Sequence, residues 1–130
     1  MVANVSIWML KGDLYTLEDF VHSDGVVTAT LLLNSAHSIF EGHYPGQPVL
    51  PGACILQIVK ETLSSAIESE LMLVIANNLK FLSMIDPASM SALNFKLTYQ
   101  EADEQFLKVN ASLHFEERVC FKFQGSFRKV

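Results

Sequence analysis

The sequence is poor in the residues that mark several protein classes. Only two of its 130 residues are cysteines, Cys54 and Cys120, and their spacing fits neither a disulfide framework nor a zinc site. Both lie in apolar surroundings, which indicates buried free thiols in a reducing compartment. No apolar run approaches the roughly 18 to 20 residues of a membrane span, and the first residues do not resemble a signal peptide. We therefore expect a cytoplasmic protein without a membrane segment.

Basic residues are also scarce. Nine Lys and Arg stand against 14 Asp and Glu, for a formal net charge of −5. The basic residues are scattered, whereas nucleic-acid binding requires clustered cations that neutralise phosphates. We therefore expect no nucleic-acid partner, and the sequence also leads us to expect neither a metal site nor a cofactor.

What the sequence does contain is a strong β pattern in its last third. Apolar residues alternate over residues 93–100, 107–115 and 119–127, and acidic turns separate the three segments. This pattern predicts an antiparallel meander with one apolar face. The β-branched segment 26–33 predicts a further buried strand.

The remaining elements follow from apolar spacing. Residues 53–67 contain no helix breaker and are apolar on most of the circumference, which predicts one buried helix over about residues 52–69. Spacings of three and four predict helical turns over residues 13–21, residues 72–82 indicate a strand interrupted at Asn77 and Asn78, and residues 1–10 favour a short edge strand. The economical architecture is one α+β domain, an antiparallel sheet curled around the helix.

A proline-rich loop precedes this helix. The stretch from Phe40 to Gln57 holds three of the four prolines and three of the six glycines, and it contains His43. Each proline fixes its own φ and removes a donor, so the loop is rigid. Such a loop can place an imidazole beside a helix N-terminus.

The loop carries a family resemblance. Residues 42–52, which read GHYPGQPVLPG, resemble the active-site loop G-H-F-P-x-x-P-V-M-P-G of the hot-dog-fold 3-hydroxyacyl-acyl-carrier-protein dehydratases of type II fatty-acid synthesis. The similarity extends more loosely over most of the chain, including Lys80-Phe81 followed by Asp86-Pro87. It implies a single hot-dog domain over residues 1–130 and a homodimer whose sheets join edge to edge. It also implies an acyl-carrier-protein or CoA thioester as substrate.

The resemblance assigns roles to loop residues. Dehydration needs a base for the proton at C2, an acid for the leaving hydroxyl and a donor to the thioester oxygen. His43 is predicted as the base, because the ordinary pKa of histidine lies near neutral pH. The backbone N–H of Gly52, at the start of the helix, is predicted as the oxyanion donor. The loop residues predicted to bind the substrate are Tyr44, Pro45, Gly46, Val49 and Pro51.

The sequence departs from the family at the acid. The family's helix carboxylate, five residues after Pro-Gly, falls on Gln57, and an amide cannot donate a proton to a leaving hydroxide. Glu61 lies one turn later, about 6 Å along the helix, where the family commonly has glutamine. Glu61 is either a substitute acid acting through water or, more simply, a charge on the polar stripe that pairs with Lys60 or solvent.

Three functions are compatible with these residues. The first is a dehydratase-like enzyme in which Gln57 orients substrate or water. The second is a catalytically weakened hot-dog subunit that holds an acyl chain, or that pairs with a related subunit supplying the carboxylate. The third, less favoured, is a hot-dog thioesterase. Because acyl carrier proteins are acidic, their docking patch should be basic, and the candidates are Lys80, Lys122, Arg128 and Lys129.

Overall fold

The computed structural model describes residues 10–41 and 48–130. These residues form one six-stranded antiparallel sheet, one short 3-10 turn (Ser38–Phe40) and one α-helix. The elements in chain order are β1 (Tyr15–Ser23), β2 (Val26–Leu33), α1 (Gly52–Ile67), β3 (Leu71–Phe81), β4 (Ala92–Glu101), β5 (Phe106–Phe115) and β6 (Arg118–Lys129). The strand order in the sheet is β1-β2-β4-β5-β6-β3.

The predicted meander and the predicted helix are confirmed. In β4, Leu93, Phe95 and Leu97 are buried and alternate with exposed polar residues, as a strand with one core-facing side requires. The buried side chains of β4, β5 and β6 form one apolar cluster with those of α1, where Ile58 and Leu63 are fully buried. The apolar face of the sheet therefore packs on α1, and the predicted α+β architecture is confirmed.

The start of the chain differs from the prediction. Residues 15–23 form strand β1, antiparallel to β2, and not helical turns. The register shifts between Glu18 and Val21, and Asp19 between them has a positive φ of 52°. This bulge breaks the period of two, so the apolar residues recur at helix-like spacings although the backbone is extended. The edge strand expected over residues 1–10 falls almost entirely outside the described residues.

Strand β3 runs without a break through Asn77 and Asn78, where an interruption was expected. Two register shifts against β6, between Leu73 and Ile75 and between Ala76 and Asn78, accommodate the asparagines. Gly125 is paired with Ala76, the residue before the asparagines, and a Cβ on Gly125 would overlap the Ile75 carbonyl oxygen and the Phe123 ring. Gly125 therefore permits the close approach of β3 to β6.

Candidate functional site

The site is built around the start of α1. Pro51 occupies the N-cap position with extended backbone, and its carbonyl accepts the first helical hydrogen bonds, from the N–H groups of Cys54 and Ile55. The N–H groups of Gly52 and Ala53 come before these bonds, so they point out of the helix end. The helix dipole adds partial positive charge at the same place. The start of α1 can therefore stabilise negative charge, while the role of the Gly52 N–H as oxyanion donor stays a prediction.

An apolar groove of about 520 Å³ opens beside this helix end. The predicted substrate-binding residues Val49 and Pro51 line it together with Gly52 and Phe81. A Cβ on Gly52 would lie 2.7 Å from the Phe81 ring, so glycine is what allows the ring to approach the helix. The other lining residues are Leu50, Ile55, Leu82, Ser83, Met84 and Ile85. The groove has the apolar character needed to hold an acyl chain.

Glu61 lies in the middle of α1 and is 7% exposed. Its Oε2 accepts hydrogen bonds from the Leu10 N–H and from Gln57 Nε2, both at 2.8 Å. Its Oε1 accepts from the Lys11 N–H at 3.0 Å and from the Tyr15 hydroxyl at 2.8 Å. The expected partners, Lys60 or solvent, are thus replaced by four protein donors. A buried carboxylate needs such donors to offset its lost hydration.

The bond to Glu61 orients the Gln57 amide. Because the carboxylate oxygen accepts, the nitrogen of Gln57 must face Glu61, and Oε1 then lies on the opposite side of the amide group. Gln57 and Glu61 are one helical turn apart, the spacing at which helix side chains meet. Gln57 is half-buried. Gln57 thus turns a hydrogen-bond acceptor away from Glu61 and carries no acidic proton.

Tyr15 belongs to the same network, although the sequence did not single it out. Its side chain is 1% exposed. Burial raises the pKa of the phenol well above its ordinary value, and the hydrogen bond and negative charge of Glu61 raise it further. Tyr15 therefore remains a hydrogen-bond donor to Glu61. Its position in a strand could not be predicted from the sequence, because the apolar spacing of residues 13–21 is typical of helical turns.

The structure separates the predicted basic residues into two places. Lys80 and Lys122 are directly opposite each other on β3 and β6. Lys129 lies at the other end of β6, where its Nζ is 3.9 Å from Glu101, and Arg128 is opposite Met72. The four candidate residues therefore do not form a single cluster. His43, with Tyr44, Pro45 and Gly46, lies outside the described residues.

Two further observations concern the described part of the chain. No helix in residues 10–41 and 48–130 is long and apolar enough to cross a membrane. Within the same residues, no group of three or more His, Cys, Asp or Glu side chains is placed to hold a metal ion.

Comparison with known proteins identifies the family. A sequence model described as ApeI dehydratase matches residues 20–124, which is most of the chain and includes the loop and α1. The chain belongs to the ApeI-like dehydratase family. No protein of curated function is significantly similar to it in sequence.

Solved structures of the same fold support the hot-dog assignment. The dehydratase heterocomplex ApeI:P from Xenorhabdus doucetiae is 18% identical, with a TM-score of 0.66 over 86% of this chain and 98% of that chain. A putative thioesterase from Shewanella oneidensis is 16% identical, with a TM-score of 0.63 over 99% and 90%. The PaaI protein of the E. coli phenylacetic acid degradation operon is 11% identical, with a TM-score of 0.61 over 86% and 78%. The ApeI-like chain therefore has the hot-dog fold, as expected.

Proposed function

We propose that this ApeI-like protein removes water from a (3R)-3-hydroxyacyl thioester to give the trans-2-enoyl thioester, in fatty-acid or related acyl-chain biosynthesis. The family match over residues 20–124 carries the proposal. The free N–H groups at the start of α1 and the adjacent apolar groove support it, because they suit a thioester oxygen and an acyl chain respectively.

In this proposal His43 takes the proton from C2, and negative charge develops on the thioester oxygen. The Gly52 N–H donates to that oxygen. The hydroxyl at C3 leaves with its bonding electrons and must gain a proton to depart as water. Gln57 cannot supply this proton, so the proton that His43 took from C2 must reach the leaving hydroxyl, directly or through a water. The role of Gln57 is to accept a hydrogen bond from the 3-hydroxyl or from that water.

Glu61 then acts as a positioning residue. Its donors from Leu10, Lys11 and Tyr15 hold the carboxylate still, and the carboxylate holds the Gln57 amide. The carboxylate is directed at protein donors, which argues against proton delivery from Glu61 to substrate. The positions of Gln and Glu in the resembled family are thus exchanged, and in this chain a hydrogen bond joins the two side chains.

A second candidate is a dimer in which a related subunit supplies the missing acid. The similar dehydratase ApeI:P is a heterocomplex, which favours this arrangement. Strand β3 is at the edge of the sheet and exposes Met72, Val74, Ile75 and Phe81, between 42% and 52% each. An exposed apolar edge strand is a ready site for pairing with another chain. We propose that β3 pairs with a second subunit, either a copy of this chain or a related one.

Turnover assays distinguish these candidates. The purified protein would be incubated with 3-hydroxyacyl thioesters of acyl carrier protein and of CoA, and the enoyl product followed by its absorbance. We expect His43→Ala to abolish formation of the enoyl product, whereas His22→Ala, a histidine on β1, should leave it unchanged. Release of free thiol without enoyl product would indicate a thioesterase. Activity that appears only after a carboxylate-bearing homologous subunit is added would favour the heterodimer.

A further inference from the structure

The sheet carries a basic row on the face that points away from α1. Lys96 of β4 is directly opposite Ser112 of β5, Ser112 is opposite Lys122 of β6, and Lys122 is opposite Lys80 of β3. The four side chains form one line perpendicular to the strands, which we call the lysine row. Strand spacing of about 4.8 Å makes this line roughly 14 Å long.

A second row of polar side chains runs beside the lysine row. Thr98, Asn110, Gln124 and Asn78 are paired across the same four strands. Both rows line one depression of about 380 Å³ on the surface. No Asp or Glu is among the described residues that line it. The depression thus combines positive charge with neutral hydrogen-bonding groups.

The lysines of this row are arranged unfavourably for the isolated chain. Like charges directly opposite each other on neighbouring strands destabilise a sheet, and Lys80 and Lys122 form such a pair. The chain as a whole is acidic, with a net charge of −5, yet its carboxylates do not reach this depression within the described structure. An external anion would relieve the repulsion.

The spacing indicates the form of that anion. Lys80 and Lys122 lie on neighbouring strands, about 4.8 Å apart, whereas Lys122 and Lys96 are separated by β5 and so lie about 9.6 Å apart. One and two turns of an α-helix are about 5.4 Å and about 10.8 Å long. A helix laid along the row could therefore set carboxylates one turn apart against Lys80 and Lys122, and a third carboxylate two turns further on against Lys96. The helix must come from another protein, because α1, the one α-helix of the described residues, buries Glu61 and carries its other carboxylate, Glu68, at its end.

We infer that the lysine row is a docking surface for an acidic α-helix of a partner protein. The inference goes beyond the proposed reaction, and it does not depend on turnover, because the row lies on the opposite face of the sheet from the groove. Charge on such a surface acts mainly on the rate and selectivity of association.

The test uses a defined probe. A labelled helical peptide with glutamates at positions i, i+4, i+7 and i+11 would be titrated into the full chain at low ionic strength, and the Kd measured by fluorescence anisotropy. A second peptide would have the same composition, with its glutamates spread around the helix. We expect the triple variant K80Q/K96Q/K122Q to weaken binding of the first peptide about tenfold or more, since three ion pairs are lost.

The control is a triple variant of equal charge, K11Q/K60Q/K129Q, which should change the Kd less than about twofold. Equal losses in the two triple variants would show an effect of net charge alone and overturn the inference. Equal binding of the two peptides, or tighter binding of inorganic pyrophosphate or an oligonucleotide, would also overturn it. Thermal unfolding separates binding from folding, because K80Q/K96Q/K122Q removes repulsion and should unfold at the same temperature as wild type or higher.

Discussion

Replacing Gln57 with glutamate restores the carboxylate position of the resembled dehydratases, but it also places a second carboxyl group against Glu61. In the wild-type structure Gln57 Nε2 is 2.8 Å from Glu61 Oε2. The centres of two carboxylates in such contact are about 4 Å apart, and at that distance two unit charges repel by about 4 kcal/mol at an effective dielectric constant of about 20. Solvent at the half-buried position 57 reduces this, so we take about 2 to 3 kcal/mol.

The repulsion makes the Gln57→Glu pair hold one proton to a higher pH than an ordinary glutamate, whose pKa is about 4.3. The proton belongs to the pair and lies between the two side chains, where it replaces the amide N–H as donor to Glu61. A pKa raised in the folded state gives stability that is complete below about pH 4.3 and is lost as the pH rises through the raised pKa. About 1 kcal/mol of this is already lost between pH 4.3 and pH 5, so the deficit of Gln57→Glu relative to wild type should grow from pH 5 to pH 8 by about 1 to 2 kcal/mol.

Urea denaturation at pH 5 and pH 8 measures this difference. The matched control is Gln100→Glu, which adds the same charge at an exposed position of β4 opposite Lys108. The control should show no deficit that grows with pH. A Gln57→Glu deficit that is equal at both pH values would refute the contact between residues 57 and 61 and, with it, the positioning role of Glu61.

The double exchange Gln57→Glu/Glu61→Gln completes the comparison. It keeps a hydrogen bond between the two positions with the donor and acceptor reversed. However, one amide oxygen replaces two carboxylate oxygens toward Leu10, Lys11 and Tyr15, and at least one donor is left unpaired. The cost is about 1 to 3 kcal/mol, without the growth between pH 5 and pH 8. Dehydration by the exchange variant above that of Gln57→Glu at pH 5, where the pair holds its proton, would show that Glu61 retains the new proton in the single variant.

Three further predictions concern the network and the sheet. Tyr15→Phe removes a donor to Glu61 and should lower the free energy of unfolding by about 1 to 3 kcal/mol, as measured by urea denaturation. The raised pKa of the Tyr15 phenol makes the stability of the wild type fall above about pH 10, so the stability of the variant should fall less there. Gly125→Ala should destabilise the protein by at least about 1 to 3 kcal/mol, because its methyl group meets the Ile75 carbonyl, whereas Ser126→Ala should have little effect. Val74→Lys should convert the proposed dimer to a monomer in light scattering, while Gln100→Lys should leave it intact. Equal pH profiles of stability in Tyr15→Phe and wild type would contradict the first prediction. Equal stabilities of Gly125→Ala and wild type would contradict the second, and an unchanged mass of Val74→Lys would contradict the third.

Much of the fold could be predicted from local pattern. Strict alternation in β4, β5 and β6 and the unbroken apolar segment of α1 indicated the sheet and its cover, because each element has a period of its own. Strand β1 could not be predicted in this way. Its bulge at Asp19 shifts the apolar phase, and only pairing with β2 makes the extended backbone favourable.

In the candidate site, too, some features could be predicted from the sequence, whereas others depend on tertiary contacts. The resemblance of the loop to a known family led us to predict thioester chemistry at His43 and Gly52 and a missing acid at Gln57, and these roles stay predictions. The environment of Glu61 depends on Leu10, Lys11 and Tyr15, about 50 residues away in sequence. The helical period of the polar residues carries no information on contacts with distant parts of the chain. The sequence therefore predicted a polar stripe on α1 that faces solvent.

The sequence by itself therefore determined the fold class and the kind of chemistry, because apolar periodicity and loop composition are local properties of the chain. Tertiary structure decided which polar groups meet. It brought residues 10–15 onto α1 and made Glu61 a buried acceptor, and it aligned Lys80, Lys96 and Lys122 through strand register. Both outcomes depend on long-range pairing, in which one residue of slip turns a side chain to the other face of the sheet.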